Sequence, residues 1–202
     1  GFYHYKAQDI LYDNRPYNVS YHEIPYHENI ILEGHFQSWK YWIKYIDEIM
    51  DLFAFPYEYK EDTVSIHKRM GDYLTMPDKL PPVSPAYIAN SINHFAKQGY
   101  KKFIAFSDDQ EEFKRQVNIL LVNGTICDGL HIEFSEGKTD MEDLALMSNC
   151  AHQILANSSY SLLAYYLNKN PNKQAIAPRL WFGTGYGYIN VDDLYPPNSL
   201  IL

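Results

Sequence analysis

The sequence predicts an α/β protein built on a parallel sheet with helices on both faces. Three observations predict it. From residue 63 onward, short apolar runs alternate with segments whose apolar residues recur at three- and four-residue spacing. Glycines or capping residues stand at the junctions. Strands that alternate with helices join through crossovers, and crossovers make neighbouring strands parallel. The length of 202 residues suits one domain or one and a fraction. A chain of this size buries enough surface to need no disulfide or metal staple.

Each element has its own justification. Residues 1–28 are rich in Tyr, His, Asn and Pro with little periodicity, and read as loop and short strand. Residues 29–34 are a short apolar run ending in Gly34, a buried-strand pattern. Trp39, Trp42, Ile43, Ile46, Ile49, Met50 and Phe53 predict one amphipathic helix, capped by Ser38, with Pro56 just beyond its end. Residues 63–66 are a strand, and 71–85 a long loop broken by Pro77, Pro81 and Pro82. Ser84 and Pro85 form the cap and first turn of a helix carrying Ile88, Ile92 and Phe95, stopped by Gly99. Residues 102–106 are a strand, 111–123 a helix closed by Gly124, 130–134 a strand and 141–149 a helix. Residues 153–156 are a strand, 158–168 a helix and 175–177 the last strand.

Composition narrows the function classes. Apolar residues make up 46% and charged residues 21%, which excludes disorder, collagen and coiled coil. Cys127 and Cys150 are too few for a disulfide framework or a four-cysteine zinc site, and suit a reducing compartment. A net charge of −8 argues against a nucleic-acid partner, which needs a basic face. It leaves room for a phosphorylated small molecule, which needs one local cation and a few backbone N–H groups. No apolar run approaches the ~18 residues of a membrane span, and no signal-peptide pattern is present. The first residue is Gly1 rather than Met, so membrane association is expected only through a segment upstream of Gly1.

In an open parallel sheet, ligands bind outside the carboxyl ends of the strands. Three polar clusters stand there: His67, Lys68, Arg69, Gly71 and Asp72; Ser107, Asp108 and Asp109; and Asn157, Ser158 and Ser159. The third opens a helix, where free N–H groups and the dipole favour a phosphate, though a plain helix cap has the same residues. Arg69 is the natural partner of a phosphate because its guanidinium fork matches the oxygens; a surface salt bridge is the alternative. Asp108 and Asp109 read as a metal pair or, more commonly, as the cap of the helix beginning near Gln110. The patterns of a dinucleotide fold, a Walker loop, a zinc helix pair and a serine-hydrolase elbow are all missing.

These clusters sit inside longer motifs. Residues 64–73, Val-Ser-Ile-His-Lys-Arg-Met-Gly-Asp-Tyr, resemble the V-x-V-H-x-R-R-G-D-Y signature of the α-1,2-fucosyltransferases, glycosyltransferase family 11. Phe106-Ser107-Asp108-Asp109 resembles that family's F-S-D-D motif. Residues 143–161, from Asp143-Leu144 through Cys150 and His152 to Asn157-Ser158-Ser159-Tyr160-Ser161, are similar to its D-L-x-L-M-S-x-C-x-H-x-I-x-A-N-S motif. Ile176-Ala177-Pro178 with Trp181-Phe182, and residues 34–41, resemble two more. The resemblance runs from about residue 30 to the end with the motifs in family order.

The resemblance implies a GT-B-like, Rossmann-like glycosyltransferase. It implies an inverting enzyme that needs no cofactor and no metal. The partners it implies are GDP-β-L-fucose and a glycan ending in a β-galactoside, fucosylated on the 2-hydroxyl. It implies that Arg69 binds the donor pyrophosphate, that His67 and Asp72 shape that loop, and that Asp143 reads the guanine edge. Ser158 and Ser159 would hold the β-phosphate, with Ser107, Asp108 and Asn157 completing the donor site and Asp72 the candidate base. By the same resemblance, residues 1–58 are the remnant of an acceptor-side domain and residues 59–202 the donor-binding domain, because the family's N-terminal G-G-L-G-N-Q segment is missing here. The compartment would be cytoplasmic or peripheral membrane in a microbe or virus, and the Golgi lumen in a eukaryote. Two further departures stand out. Leu162-Leu163 replaces an aromatic pair, and Met70 replaces the second arginine of the signature. If both arginines served the pyrophosphate, that loss would cost ~1.5–3 kcal/mol of donor binding; if the second made a structural pair instead, little would be lost. A non-catalytic GDP-sugar or glycan-binding relative, or a fucosyltransferase with another acceptor, are the alternatives.

Overall fold

Val64 and Ile66 point to one side of their strand while His67 points to the other, and helices cover both sides. The computed structural model describes residues 9–12, 19–24, 30–33, 35–53, 58–136 and 139–202. Strands β1 (Asp9–Tyr12) and β2 (Ile30–Glu33) form a separate parallel pair. The main sheet holds β3 (Lys60–Lys68), β4 (Lys102–Ser107), β5 (His131–Phe134), β6 (Cys150–Ile154), β7 (Ala175–Ala177) and β8 (Leu200–Ile201). Its order is β5-β4-β3-β6-β7-β8, and every pair is parallel. This is the expected α/β, Rossmann-like architecture.

The helices start and stop where local chemistry says they should. In α2 (Pro85–Lys97) the Ser84 hydroxyl accepts from the Tyr87 N–H, and Gly99 ends the turn at φ +101°. Asp109 caps α3 (Gln110–Val122) and Thr139 caps α4 (Asp140–Ser148) through the N–H three residues on. Ser158 caps α5 (Ser159–Leu167). Helices α2 and α3 bury Ile88, Ile92, Phe95, Phe113 and Val117 against Val64, Ile66 and Phe103. On the opposite face Leu144, Met147, Ala164 and Leu167 pack on Ile104 and Phe106. Leu162 is buried there too, beside Tyr166 and Trp181, so the change from an aromatic pair is a packing change.

Three expectations need correction. Residues 39–53 do not form one helix. They form 3-10 turns at Trp39–Tyr41 and Ile43–Tyr45, then a helix α1 (Ile46–Leu52). The break falls at Trp42, whose φ is −129° and whose indole packs edge-on, 4.3 Å from Tyr166 of α5. That contact outweighs helix continuity, to which aromatics contribute little. Strand β6 is Cys150–Ile154 rather than 153–156, because the buried polar His152 hides its start. His152 Nε2 meets the Tyr100 hydroxyl at 2.6 Å; Gln153 donates to the Met147 carbonyl, while its buried Oε1 has no partner among the described residues. The last strand is β8, a two-residue element that no pattern marks. Gly34, Pro56 and most of residues 1–28 lie outside the described residues. Among the described residues no helix is long and apolar enough to cross a membrane. Cys127 is exposed, Cys150 is buried, and both are free thiols.

Candidate functional site

The strand order reverses between β3 and β6. The chain leaves β3 for a helix on one face and β6 for a helix on the other, and open α/β sheets bind ligands outside the carboxyl ends of the strands at such a switch point. A cleft of about 140 Å³ lies there, lined by His67, Arg69, Phe106, Ser107, Asp108 and Asp143, with Asp140 and Tyr160. It is smaller than the roughly 300–1,000 Å³ that holds a whole ligand, so it fits one part of a nucleotide. A larger hollow of about 450 Å³ lies at the opposite edge of the sheet. Four of its charged or titratable groups already pair, Lys102 with Asp62 and His131 with Glu133, and it lies at the amino ends of the strands.

Arg69 is the cation of the cleft. Its Nε and Nη2 both lie 2.9 Å from Asp72 Oδ1, and Nε lies 3.1 Å from Asp108 Oδ2. The side chain keeps 39% of its surface exposed, so the guanidinium is oriented without being sealed. Asp108 does two jobs at once, because its Oδ1 also accepts the Met70 N–H at 2.7 Å. This ties the loop after β3 to the loop after β4. Gly71 is required at the junction: a Cβ there would sit 2.5 Å from Asp108 Oδ2. The neighbouring Asp109 caps α3, and its own N–H is received by the Ser107 hydroxyl at 3.1 Å. The two acids are therefore divided between a loop clamp and a helix cap.

Met70 does not stand where a second cation would serve. Its side chain is 2% exposed and belongs to the core beneath α2 and α3. Lys68 turns the same way: its Nζ donates to Gln116 Oε1 at 2.5 Å and lies 5.7 Å from the Phe113 ring. Burial pulls its ammonium down to about 8, against the opposing charge of Glu112. His67 turns into the site. Its Nδ1 lies 2.5 Å from the Ser161 hydroxyl, and its ring lies 5.4 Å from that of Tyr160. Burial lowers its pKa to about 4; Asp108 opposes this and Arg69 adds to it. The imidazole is neutral at pH 7.

Asp143 closes the other side from the first turn of α4. The Ser135 hydroxyl donates to its Oδ1 at 2.5 Å. Burial raises its carboxyl above the ordinary carboxylate range, with Ser135 opposing and Asp140 and Glu142 adding to the rise. The Tyr160 hydroxyl bonds the Asp140 carbonyl, which holds the ring at the cleft wall.

The third cluster divides. Asn157 is 1% exposed, and its amide donates to the carbonyls of Pro81 at 3.0 Å and Trp181 at 2.8 Å. Its own carbonyl receives the Tyr73 hydroxyl at 2.9 Å. Asn157 therefore pins three loops, while its buried side-chain Oδ1 has no partner among the described residues. The Ser158 hydroxyl receives the Tyr160 N–H at 3.3 Å, while Ser159 is exposed at the mouth of α5. Of the residues expected from the sequence, His67, Arg69, Ser107, Asp108 and Asp143 share the cleft, and Asp72 joins through Arg69. Phe106, Asp140 and Tyr160 line the cleft without having been expected there, and Ser135 and Ser161, also not expected, stand behind it on Asp143 and His67. Phe106, Tyr160 and Ser161 lie inside the quoted motifs, so position at a strand end or helix start was a usable signal.

Comparison with known proteins shows the family. The model of glycosyl transferase family 11 matches residues 11–182. The O-antigen biosynthesis glycosyltransferase WbnK of Escherichia coli is 36% identical over 129 residues, 60% of this chain and 39% of that protein. The alpha-1,2-colitosyltransferase of Escherichia coli is 28% identical over 165 residues, 74% of this chain and 55% of that protein. The chain thus spans about half or less of the length of these relatives. Over the great majority of its residues, and with its motif side chains gathered at the sheet's switch point, the chain belongs to glycosyl transferase family 11.

Proposed function

We propose that the protein is an inverting, metal-independent α-1,2-fucosyltransferase. On this reading it moves L-fucose from GDP-β-L-fucose to the 2-hydroxyl of a terminal β-galactose in a glycan. The observation that carries the reading is that Arg69 and Asp143 share one cleft at the switch point of a family 11 chain. Arg69 pairs with the pyrophosphate, and the N-terminus of α5 with Ser158 and Ser159 receives the β-phosphate. Asp143 Oδ1 is held by Ser135, so its carboxylate presents a fixed edge to the guanine ring N–H and exocyclic amine. The cleft then takes the base, and the phosphates run out past Arg69. Charge builds on GDP as the sugar leaves, and these preset donors stabilise it. Asp72 is the base for the acceptor hydroxyl. Arg69 holds its Oδ1, so the proton goes to Oδ2. The relative named as a colitosyltransferase favours a second reading, in which the same site takes a colitosyl donor.

Calorimetric titration tests both readings. GDP-fucose, GDP-colitose, GDP-mannose and UDP-galactose are compared with EDTA present. GDP-fucose is expected to bind without metal and in preference to UDP-galactose; tighter binding of GDP-colitose selects the second reading. Equal binding of GDP- and UDP-sugars overturns the guanine assignment. Asp143→Asn replaces one acceptor oxygen with a donor amide, and is expected to relax the preference for GDP over ADP about tenfold or more, one charged hydrogen bond being worth ~1.5–3 kcal/mol.

A further inference from the structure

The Ser161 hydroxyl is 1% exposed and has two neighbours: the Ala156 N–H at 3.2 Å and His67 Nδ1 at 2.5 Å. The amide is an obligate donor, so the serine oxygen accepts from it. The single hydroxyl proton then has one acceptor within reach among the described residues, the lone pair of His67 Nδ1. The reverse arrangement, with Nδ1–H donating, would leave a buried hydroxyl proton without an acceptor. A neutral imidazole that accepts at Nδ1 carries its proton at Nε2. Nε2 has no hydrogen-bond partner among the described residues, and the His67 ring, itself 6% exposed, borders the cleft.

We infer that Ser161 is a positioning residue: it relays the fixed Ala156 amide to His67 and locks the imidazole as the Nε2–H tautomer, which presents a neutral N–H to an acceptor oxygen of the bound nucleotide. The inference rests on the proposed function for the identity of that ligand and on geometry alone for the lock. The device has a chemical purpose. A cationic imidazole would repel Arg69 next to it, whereas a neutral donor adds a hydrogen bond and leaves the local charge unchanged. The charged and titratable groups facing His67 come from every surrounding element: Arg69 from its own loop, Asp108 after β4, Asp140 and Asp143 from α4, and Tyr160 from α5. Burial outweighs the Asp108 charge, which keeps the ring neutral.

The test is a long-range proton–nitrogen correlation spectrum of the intact protein labelled with 15N-histidine. The His67 signal is assigned by its loss in His67→Gln. At pH 7 without ligand, His67 is expected as the neutral Nε2–H tautomer. Ser161→Ala should mix the two tautomers and weaken GDP binding several-fold. Ser161→Thr, which keeps the hydroxyl, should restore both, a rescue that mere packing would not give. A cationic ring, an Nδ1–H tautomer, or an unchanged tautomer in Ser161→Ala overturns the lock. GDP is then added to the wild type. A shift confined to Nε2 supports donation to the nucleotide, and GDP binding without that shift overturns it. Absence of GDP binding in the wild type overturns the proposed function, while the ligand-free spectrum still decides the lock.

Discussion

Gly71 and Asp108 meet where no side chain would fit between them. The carboxylate that sits against Gly71 also takes the Met70 N–H and the Arg69 Nε. One missing methyl group therefore lets the two loops close and aims the guanidinium. Gly71→Ala should push Asp108 away, misalign Arg69 and weaken GDP binding by roughly tenfold, about the worth of one charged hydrogen bond. The loop is mostly exposed, so the thermal midpoint should change little. Wild-type affinity in calorimetry of Gly71→Ala would show that Arg69 does not need the clamp. At this scale the sequence was partly legible. The twofold period of β3 puts Ile66, Lys68 and Met70 on one side and His67 and Arg69 on the other. That period already says that Met70 cannot replace an arginine facing the donor. Asn157 was not legible, because a buried amide pinning three loops and an exposed cap are the same letter in the same motif.

At the scale of elements, α5 is where the cap and the phosphate reading coincide. Ser158 fills the cap position and stands one residue before the exposed Ser159. The two roles separate under substitution. Ser158→Ala removes the cap and should cost about 1 kcal/mol of stability. Ser158→Asp supplies an equivalent cap but opposes a phosphate with a negative charge. Near wild-type melting with a large loss of GDP affinity in Ser158→Asp is the expected pair of results. Retained affinity would leave the serine as a cap and move the β-phosphate elsewhere. The helices from 85 onward were readable because each carries its own cap and stop. Strand order was not, since alternation gives parallel strands and leaves their sequence across the sheet open. The crevice between β3 and β6, which selects the first and third polar clusters as neighbours, comes from the order β5-β4-β3-β6-β7-β8.

At the scale of the whole molecule, alkaline behaviour turns on two ammonium groups, Lys68 buried and Lys173 partly buried, and on one buried thiol. Burial brings both Lys68 and Lys173 down to about 8, against roughly 10.4 in an unfolded chain. Between these values the unfolded state holds more protons than the folded one, so stability rises with pH. Burial also pushes the Cys150 thiol up to about 12, so above roughly pH 8.5 the unfolded chain sheds that proton first and the rise is partly offset. The rise has a ceiling as well. Tyr87, Tyr160, Tyr165 and Tyr166 are held above their ordinary value by burial. Once unfolded tyrosines begin to ionise, near pH 10, the sign reverses and stability falls. The thermal midpoint should therefore climb from about pH 8 and turn over near pH 10. Lys68 is 2% exposed and turned away from the cleft, so its part can be removed alone. Lys68→Met keeps the length of the side chain and deletes the buried charge. It should raise the midpoint at pH 7, by at most about 3 kcal/mol in stability, less whatever the Gln116 hydrogen bond and the Phe113 ring return. It should also flatten the climb, because the remaining share of Lys173 is then opposed by that of Cys150. Melting curves of both proteins from pH 7 to 11 decide the matter. A wild-type midpoint that is flat or falling between pH 8 and 9.5 would mean that Lys68 and Lys173 keep their protons in the fold at these pH values.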